Sequence, residues 1–319
     1  MLLHMNFRTD TFTALPAKSL TMHNNVPSVR MHTKEGSNMI DILQYGFMQR
    51  AFLVGILLAV IIPCIGVIVV FKRLSLIGDA LSHTSLAGVA IGLILGINPI
   101  IGAMAACLFA AFGIEAIRKK IPRYSELSIA IVLSVGVGLA GVLSGFVKNA
   151  ATFNSFLFGS IVAISDFETG LVVGISVLVL LSFIFLYKEL FYIAFDEQAA
   201  ALSGVPVRLV NTIFTILTAI TVSVASRTVG ALIVSSLMVV PVATAMVMAK
   251  SYKQTVIWSI LCAVTATLIG LFTSYYAQLK PGGTIVLTAV ALFLLALLVK
   301  RLRQILRAVR MKGAANEPT

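Results

Sequence analysis

The stretch AFLVGILLAVIIPCIGVIVV, Ala51–Val70, is a run of twenty residues with no charged or amide side chain. A helix of about 20 apolar residues crosses a hydrocarbon core of roughly 30 Å. Lys72 and Arg73 follow within three residues, and basic side chains of this kind mark the cytoplasmic end of a span. The stretch therefore predicts a membrane-spanning helix whose C-terminal end lies in the cytoplasm.

Similar apolar runs recur along the whole chain, which predicts an all-α, polytopic membrane protein. Of its 319 residues, 59% are hydrophobic and 11% charged, against about a quarter charged in soluble domains, and the mean hydropathy is +1.03. The runs are too long for the strands of an outer-membrane barrel. We predict about nine spans, with eight to ten possible, near 46–70, 75–95, 97–117, 128–148, 168–187, 208–228, 229–249, 255–277 and 283–300.

The distribution of basic residues predicts the orientation of these spans. Each odd-numbered span is followed by lysine or arginine, which places the N-terminus outside and the C-terminus in the cytoplasm of a cell's inner (cytoplasmic) membrane. The net charge of +12 lies largely in short loops and at the basic end, Lys300–Lys312, where it favours anionic lipid headgroups over nucleic acid. The three cysteines lie far apart in apolar surroundings, so we interpret them as small core residues.

Three regions are predicted from composition: a polar, disordered tail over 1–40, a transmembrane domain over 41–302, and a basic cytoplasmic tail over 303–319. Between spans, residues 148–170 have room for a short half-helix over the outer mouth. On the cytoplasmic side, FDEQAAALSGVP, Phe195–Pro206, predicts a short helix with acids in its first turn and Gly204 as its C-cap. Such a helix is a candidate docking element for a soluble partner.

The second predicted span, within FKRLSLIGDALSHTSLAGVAIG (Phe71–Gly92), carries the most unusual chemistry of the chain. Asp79 and His83 are four residues apart and therefore share a helix face. Counted from Arg73 at about 1.5 Å per residue, His83 is expected some 15 Å deep. An ionised acid inside a bilayer costs at least about 2.5 kcal/mol unless it has a partner or faces water.

Three interpretations of this pair remain open: a metal site, a proton pathway, and a structural hydrogen bond. Carboxylate and imidazole are ligands for Zn²⁺ and suit Mn²⁺ or Fe²⁺ as well. Two ligands do not complete a four-coordinate shell. Two copies in a symmetric dimer would supply two nitrogens and two oxygens, or water or other spans would complete the set.

Small and kinking residues are expected in helix packing or along a pathway. They are Gly88, Gly92, Ser235, Ser236 and Pro241. GVGLAG, Gly136–Gly141, matches the dinucleotide-binding pattern only inside an apolar span and is interpreted as packing. The sequence has neither a P-loop nor an H-E-x-x-H motif, so ATP hydrolysis is expected on a separate chain.

Three segments in order, FKRLSLIGDALSHTSLAGVAIG, FDEQAAALSGV and VGALIVSSLMVVPVATA, resemble permease subunits of the zinc/manganese/iron class of ABC importers. The resemblance runs from about Met39 to Lys300. It implies a homodimer, two cytoplasmic ATP-binding subunits and an extracytoplasmic metal-binding protein. It also implies metal coordination by Asp79 and His83. The implied ATPase-coupling helix comprises Asp196, Glu197, Gln198, Ala199, Leu202 and Gly204.

The predicted function is therefore that of the membrane subunit of an ATP-driven importer for a divalent transition metal, zinc first, then manganese or iron. The metal is cargo, and no permanently bound cofactor is expected. The alternatives are a proton-coupled secondary metal transporter, an ABC permease for a chelated metal such as a siderophore, and an intramembrane enzyme.

Overall fold

The computed structural model describes residues 46–121, 124–148, 150–159 and 164–315, and the predicted tail over 1–40 lies outside them. Within these ranges the chain forms twelve helices and no strand. In chain order they are α1 (Gly46–Phe71), α2 (Ile77–Leu95), α3 (Pro99–Lys120), α4 (Ser125–Ser144), α5 (Ala150–Phe158), α6 (Asp166–Phe185), α7 (Tyr187–Phe195), α8 (Glu197–Leu202), α9 (Val207–Thr228), α10 (Ala231–Met248), α11 (Tyr252–Ala277) and α12 (Pro281–Ala315).

Eight helices in this part of the chain are long and apolar enough to cross a membrane: α1, α2, α3, α4, α6, α9, α11 and α12. A ninth, α10, contains a shorter apolar stretch, Ile233–Met248. Each of the nine predicted spans corresponds to one of these helices. The prediction of an all-α, polytopic membrane protein is confirmed, including the tight junction between α9 and α10, where Gly230 has a φ of +105°.

Some boundaries differ from the predicted ones. The third helix continues through Arg118–Lys120, which places those basic residues on the helix and not in the loop. The last helix runs to Ala315, so the predicted division at 302/303 falls inside it. Residues 72–76 form a turn, because Arg73 takes a left-handed φ of +57° and the Leu74 amide donates to the Val69 carbonyl.

The interior of the bundle is formed mainly by α1, α2 and α9. Of the most apolar stretch of α1, 72% is buried, against 22% for α4, which lies at the periphery. α2 packs against α3, α4, α9 and α10. A polar face on α2 is therefore directed into the protein or into a path through it.

Two short helices, α7 and α8, lie at the end of the bundle where α1 ends and α2 begins. Sequence analysis predicted α8 but not α7. An aromatic cluster holds α7 in place: the Phe191 ring lies 5.0 Å from that of Tyr252 on α11, and Phe195 lies 5.2 Å from Phe71 on α1. Since only Asp196 separates the end of α7 from the start of α8, this cluster also fixes where α8 begins.

The short helix α5 lies near the opposite end, within the region where a half-helix was predicted. Gly159, just after α5, adopts a φ of +72°, and a Cβ atom there would fall 2.2 Å from the Val229 carbonyl carbon. Only glycine permits both the conformation and the close approach. This contact fixes the end of α5 against the junction of α9 and α10.

Candidate metal site

Asp79 and His83 lie on α2 one turn apart, with their functional groups close together. His83 Nε2 is 3.7 Å from Asp79 Oδ1, and the side chains are 21% and 34% exposed, respectively. This separation is longer than a direct hydrogen bond but short enough for an ion pair if His83 is protonated.

The pair lies closer to the helix start than the sequence estimate placed it. The estimate assumed helix from Arg73 onward, whereas residues 72–76 form a turn and α2 begins at Ile77. His83 is therefore about 9 Å along the axis from the first helical residue, at 1.5 Å per residue. Asp79 lies in the first turn of α2.

The faces of α2 around the pair are occupied by neighbouring helices. Gly78 lies against α10, the Leu81 carbonyl accepts a hydrogen bond from a cysteine thiol of α3, and Thr84 lies against the backbone of α4. By helical geometry Asp79 and His83 point between the α10 and α4 contacts. The pair consequently lies between helices that pack on either side of it, and both side chains remain partly exposed.

Further along the same face, α2 is covered by α5. Ala87 and Ala90, four and seven residues beyond His83, belong to one apolar cluster with Phe153 and Phe156 of α5. This cluster packs α5 against the C-terminal half of α2.

An ion pair stabilises this covered region. Arg227 of α9 donates from Nε to Glu168 Oε1 of α6 at 2.8 Å, and the two side chains are only 21% and 11% exposed. The Arg227 guanidinium carbon also lies 4.5 Å from the centroid of the Phe156 ring. Glu168 is held in turn by a capping box with Ser165 at the start of α6. The pair therefore connects α5, α6 and α9.

Most of the predicted packing or pathway residues lie at helix crossings near the site. A Cβ atom on Gly88 would fall 2.3 Å from the carbonyl oxygen of Gly102 on α3, and one on Gly92 would fall 2.9 Å from Pro99 Cα. Ser235 lies on α10 beside Gly78, which is the residue that precedes Asp79. Ser236 and Pro241 lie on the same helix, Pro241 inside it and buried.

One copy of the chain provides few ligands at this site. Among the described residues, no group of three or more histidine, cysteine, aspartate or glutamate side chains is placed to hold a metal ion. Asp79 and His83 alone leave a four-coordinate ion without half of its shell.

The residues of the predicted coupling helix form the short helix α8 with a defined start and end. The Asp196 side chain caps the start by accepting from the Gln198 and Ala199 amides at 2.9 and 3.0 Å. At the other end Gly204, with a φ of +84°, and Val205 donate to the carbonyls of α8, which is a Schellman motif.

The exposed surface of α8 is apolar as well as polar. Leu202 is 90% exposed, and the predicted contact residues Gln198 and Ala199 are exposed with it. Ala200 is the one residue of α8 that is buried. This helix therefore presents an unpartnered surface at the end of the bundle.

The fold agrees with a comparison against protein families, in which residues 44–300 match the ABC 3 transport family. The chain belongs to the ABC 3 transport family. This membership confirms the resemblance that the three sequence motifs indicated. It makes the chain a multi-pass transport permease.

Three curated relatives of this ABC 3 family permease carry metal-transport names. The "Probable metal transport system membrane protein" of Treponema pallidum is 35% identical, over 80% of this chain and 96% of its own length. The "Manganese import system permease protein ScaB" of Streptococcus gordonii is 31% identical, over 80% and 92%. The "High-affinity zinc uptake system membrane protein ZnuB" of Haemophilus influenzae is 30% identical, over 77% and 95%.

A solved structure supports the fold of the ABC 3 permease. "PsaBC from Streptococcus pneumoniae in complex with Fab" is 32% identical to this chain, with a TM-score of 0.72, and the match covers 81% of this chain and 93% of that one. The architecture is therefore that of an ABC importer permease.

Sequence reasoning missed two polar connections in the permease. One is the Glu168–Arg227 pair already described. The other is a chain of hydrogen bonds from Lys72 through Asn211 to Glu197. Each joins residues far apart in sequence, so no local spacing indicated them. The sequence showed only that each of these polar side chains lies near the end of an apolar run, which does not identify its partner.

Proposed function

We propose that this chain is the membrane subunit of an ATP-driven importer for a divalent transition-metal ion, zinc or manganese. The observation that carries the proposal is the Asp79/His83 pair, which is partly exposed on an interior helix with its nitrogen and oxygen 3.7 Å apart. A carboxylate and a neutral imidazole suit both ions. The manganese and zinc relatives are about equally similar, at 31% and 30% identity.

In this proposal the ion passes from the α5 end of the bundle, past His83 and Asp79, to the end that carries α8. A separate extracytoplasmic protein delivers the ion. Two copies of this chain form the path, and two cytoplasmic ATP-binding subunits dock on them, one on α8 of each copy. The capped ends of α8 and the 90% exposure of Leu202 support a docking role.

The orientation follows from the distribution of charge between the two ends of the described bundle. Most of the lysine and arginine residues in the described part lie at the α8 end, which supports the proposal that this end and the C-terminus lie in the cytoplasm and the N-terminus outside. At the α8 end are Lys72, Arg73, Arg118, Lys119, Lys120, Lys188, Arg208, Lys250, Lys253, Lys300, Arg301 and Arg303; at the other end are Arg50, Lys148, Arg227 and Lys280.

Metal uptake by cells that carry single substitutions tests the proposal. Asp79→Ala and His83→Ala should each abolish the gene-dependent rise in cellular zinc or manganese, measured by elemental mass spectrometry, because each removes one of two ligands. Ser134→Ala serves as the control, since that hydroxyl bonds only within α4. Membrane insertion and association with the ATPase should be unchanged. Normal uptake by both ligand variants would refute the assignment.

Metal uptake measured in proteoliposomes separates ATP-driven import from the proton-coupled alternative. Uptake should require the ATP-binding subunit and persist in proteoliposomes that have no proton gradient. Uptake that continues without the ATPase and stops when an uncoupler is added would replace the proposal with a secondary transporter.

A further inference from the structure

Two consecutive hydrogen bonds connect α8 to the turn that begins α2. Lys72, in the turn between α1 and α2, donates from Nζ to Asn211 Oδ1 at 2.8 Å. Asn211, on α9, donates from Nδ2 to Glu197 Oε1 at 2.7 Å. Glu197 is the first residue of α8. We call these three residues the Lys72 link.

The chemistry of the Lys72 link fixes the direction of each hydrogen bond. A lysine ammonium only donates and an ionised carboxylate only accepts, so the amide of Asn211 has to present oxygen to Lys72 and nitrogen to Glu197. Asn211 is 5% exposed, and a buried amide that lost either partner would leave a polar group unsatisfied. The link therefore depends on an amide at position 211.

At its other end the link leads into a stiff connection to the metal site. The turn is bonded to α1 through the Lys72, Arg73 and Leu74 amides, and the Ile77 amide donates to the Leu74 carbonyl at the start of α2. Leu74 and Ile77 are buried, at 5% and 7% exposure. Asp79 follows two residues after Ile77. A displacement of Lys72 is therefore carried to the first turn of α2.

At the α8 end, by contrast, little apolar packing holds the helix. Ala200 is the one α8 residue that is buried, and the link lines a cavity of about 900 Å³ between α8, α9 and the end of α3. Arg118 and Arg208 line the same cavity. The cavity gives α8 room to move, and the hydrogen bond from Asn211 ties it to the bundle as it does so.

We propose that Lys72, Asn211 and Glu197 transmit the displacement of α8 to the start of α2 and thereby couple ATP-driven movement to the Asp79/His83 pair. This inference rests on the proposed function and names the connection that the function requires. The three residues are positioning residues, because none of them is placed to touch the ion. The competing role is that the three residues only stabilise the fold. Loss of a coupling role lowers metal uptake per ATP, whereas loss of a purely stabilising role lowers hydrolysis and uptake together.

The test uses the complete importer, with its ATPase and binding protein, in proteoliposomes, where ATP hydrolysis and metal uptake are measured together. Asn211→Asp keeps the size of the side chain and the bond to Lys72, but places a carboxylate against Glu197. We expect ATP hydrolysis to be retained and metal uptake per ATP to fall about fivefold or more, the lower end of coupling between protein sites. Arg208→Gln, which removes a charge from the same cavity but not from the link, is the control and should behave as wild type.

A second substitution should restore the hydrogen bond between positions 211 and 197 with donor and acceptor exchanged. Glu197→Gln alone should couple normally, because a glutamine oxygen accepts from Asn211. Combined with Asn211→Asp, the glutamine nitrogen donates to the introduced carboxylate, and uptake per ATP should recover. Two outcomes would contradict the proposal: the assembled double variant fails to recover uptake per ATP, or Asn211→Asp loses hydrolysis and uptake equally. Either would show that the three residues only stabilise the fold.

An exposed position provides an independent comparison if Asn211→Asp does not fold. Glu197→Ala removes the acceptor from α8 without altering a buried residue, and it should lower uptake per ATP where Glu197→Gln does not. Equal coupling in these two variants would contradict the proposal. A wild-type importer that hydrolyses ATP without moving any metal would instead contradict the proposed function, so the two failures are distinguishable.

Discussion

Lys72 is the residue whose environment makes the clearest prediction about pH. Burial, with a smaller contribution from the positive charge of Arg118, lowers the pKa of Lys72 from 10.5 to about 8, although Glu197 and Glu115 oppose the shift. Between pH 7 and pH 9, Lys72 therefore loses the charge with which it binds Asn211. Arginine keeps its charge throughout this range.

Uptake per ATP by the wild-type importer should accordingly fall through a midpoint near pH 8, whereas Lys72→Arg should show a flatter profile. Unfolding does not account for such a loss. Since the folded chain releases this proton at a lower pH than the unfolded chain, Lys72 raises the free energy of unfolding as the pH rises from about 8 to 10.5. Proteoliposomes at several pH values provide the measurement, and identical profiles for the two proteins would show that Lys72 does not cause the loss.

At the scale of elements, α8 should lose its partner when its exposed apolar residue is changed. Leu202→Glu brings a carboxylate to a surface where the ATPase is proposed to cover Leu202, and burying an unpaired charge is costly. We expect association to weaken about tenfold or more, equivalent to 1.4 kcal/mol, measured by co-purification at graded concentrations. Leu302→Glu, at the same end of the bundle on α12, is the matched control, because Leu302 is 50% exposed on another helix. Equal association in both variants would place the ATPase elsewhere.

The elements differ in how far their sequences predicted them. Spans such as α1 were predicted because an uninterrupted apolar run of about twenty residues is typical of a membrane-spanning helix, and α8 because Asp196 and Gly204 are strong end signals. α7 was missed because YKELFYIAF, Tyr187–Phe195, has no such run. Its position depends on rings of Tyr252 and Phe71, which are distant in sequence. The break before α2 was predicted between 70 and 75, but the geometry of the turn was not, because Arg73, a non-glycine residue at positive φ, gives no local signal.

At the scale of the whole molecule, the sequence predicted the pair but not its connections. The spacing of Asp79 and His83 was sufficient to place them on one face, since a helix fixes that relation locally. The Lys72 link and the Glu168–Arg227 pair join helices whose arrangement depends on all the packing between them. These connections lie at opposite ends of the bundle, on either side of the candidate site.

We expect one metal ion to be shared by two copies of the chain. Within the described residues no group of three or more histidine, cysteine, aspartate or glutamate side chains is placed to hold a metal ion, and we propose that a second copy completes a shell of two nitrogens and two oxygens. Equilibrium dialysis of the purified permease against Zn²⁺ or Mn²⁺, combined with light scattering, should give one ion for two chains in a dimer. His83→Ala should abolish that binding at the same dimer mass. One ion bound to each chain would show that water or other spans complete the shell, and the shared site would be wrong.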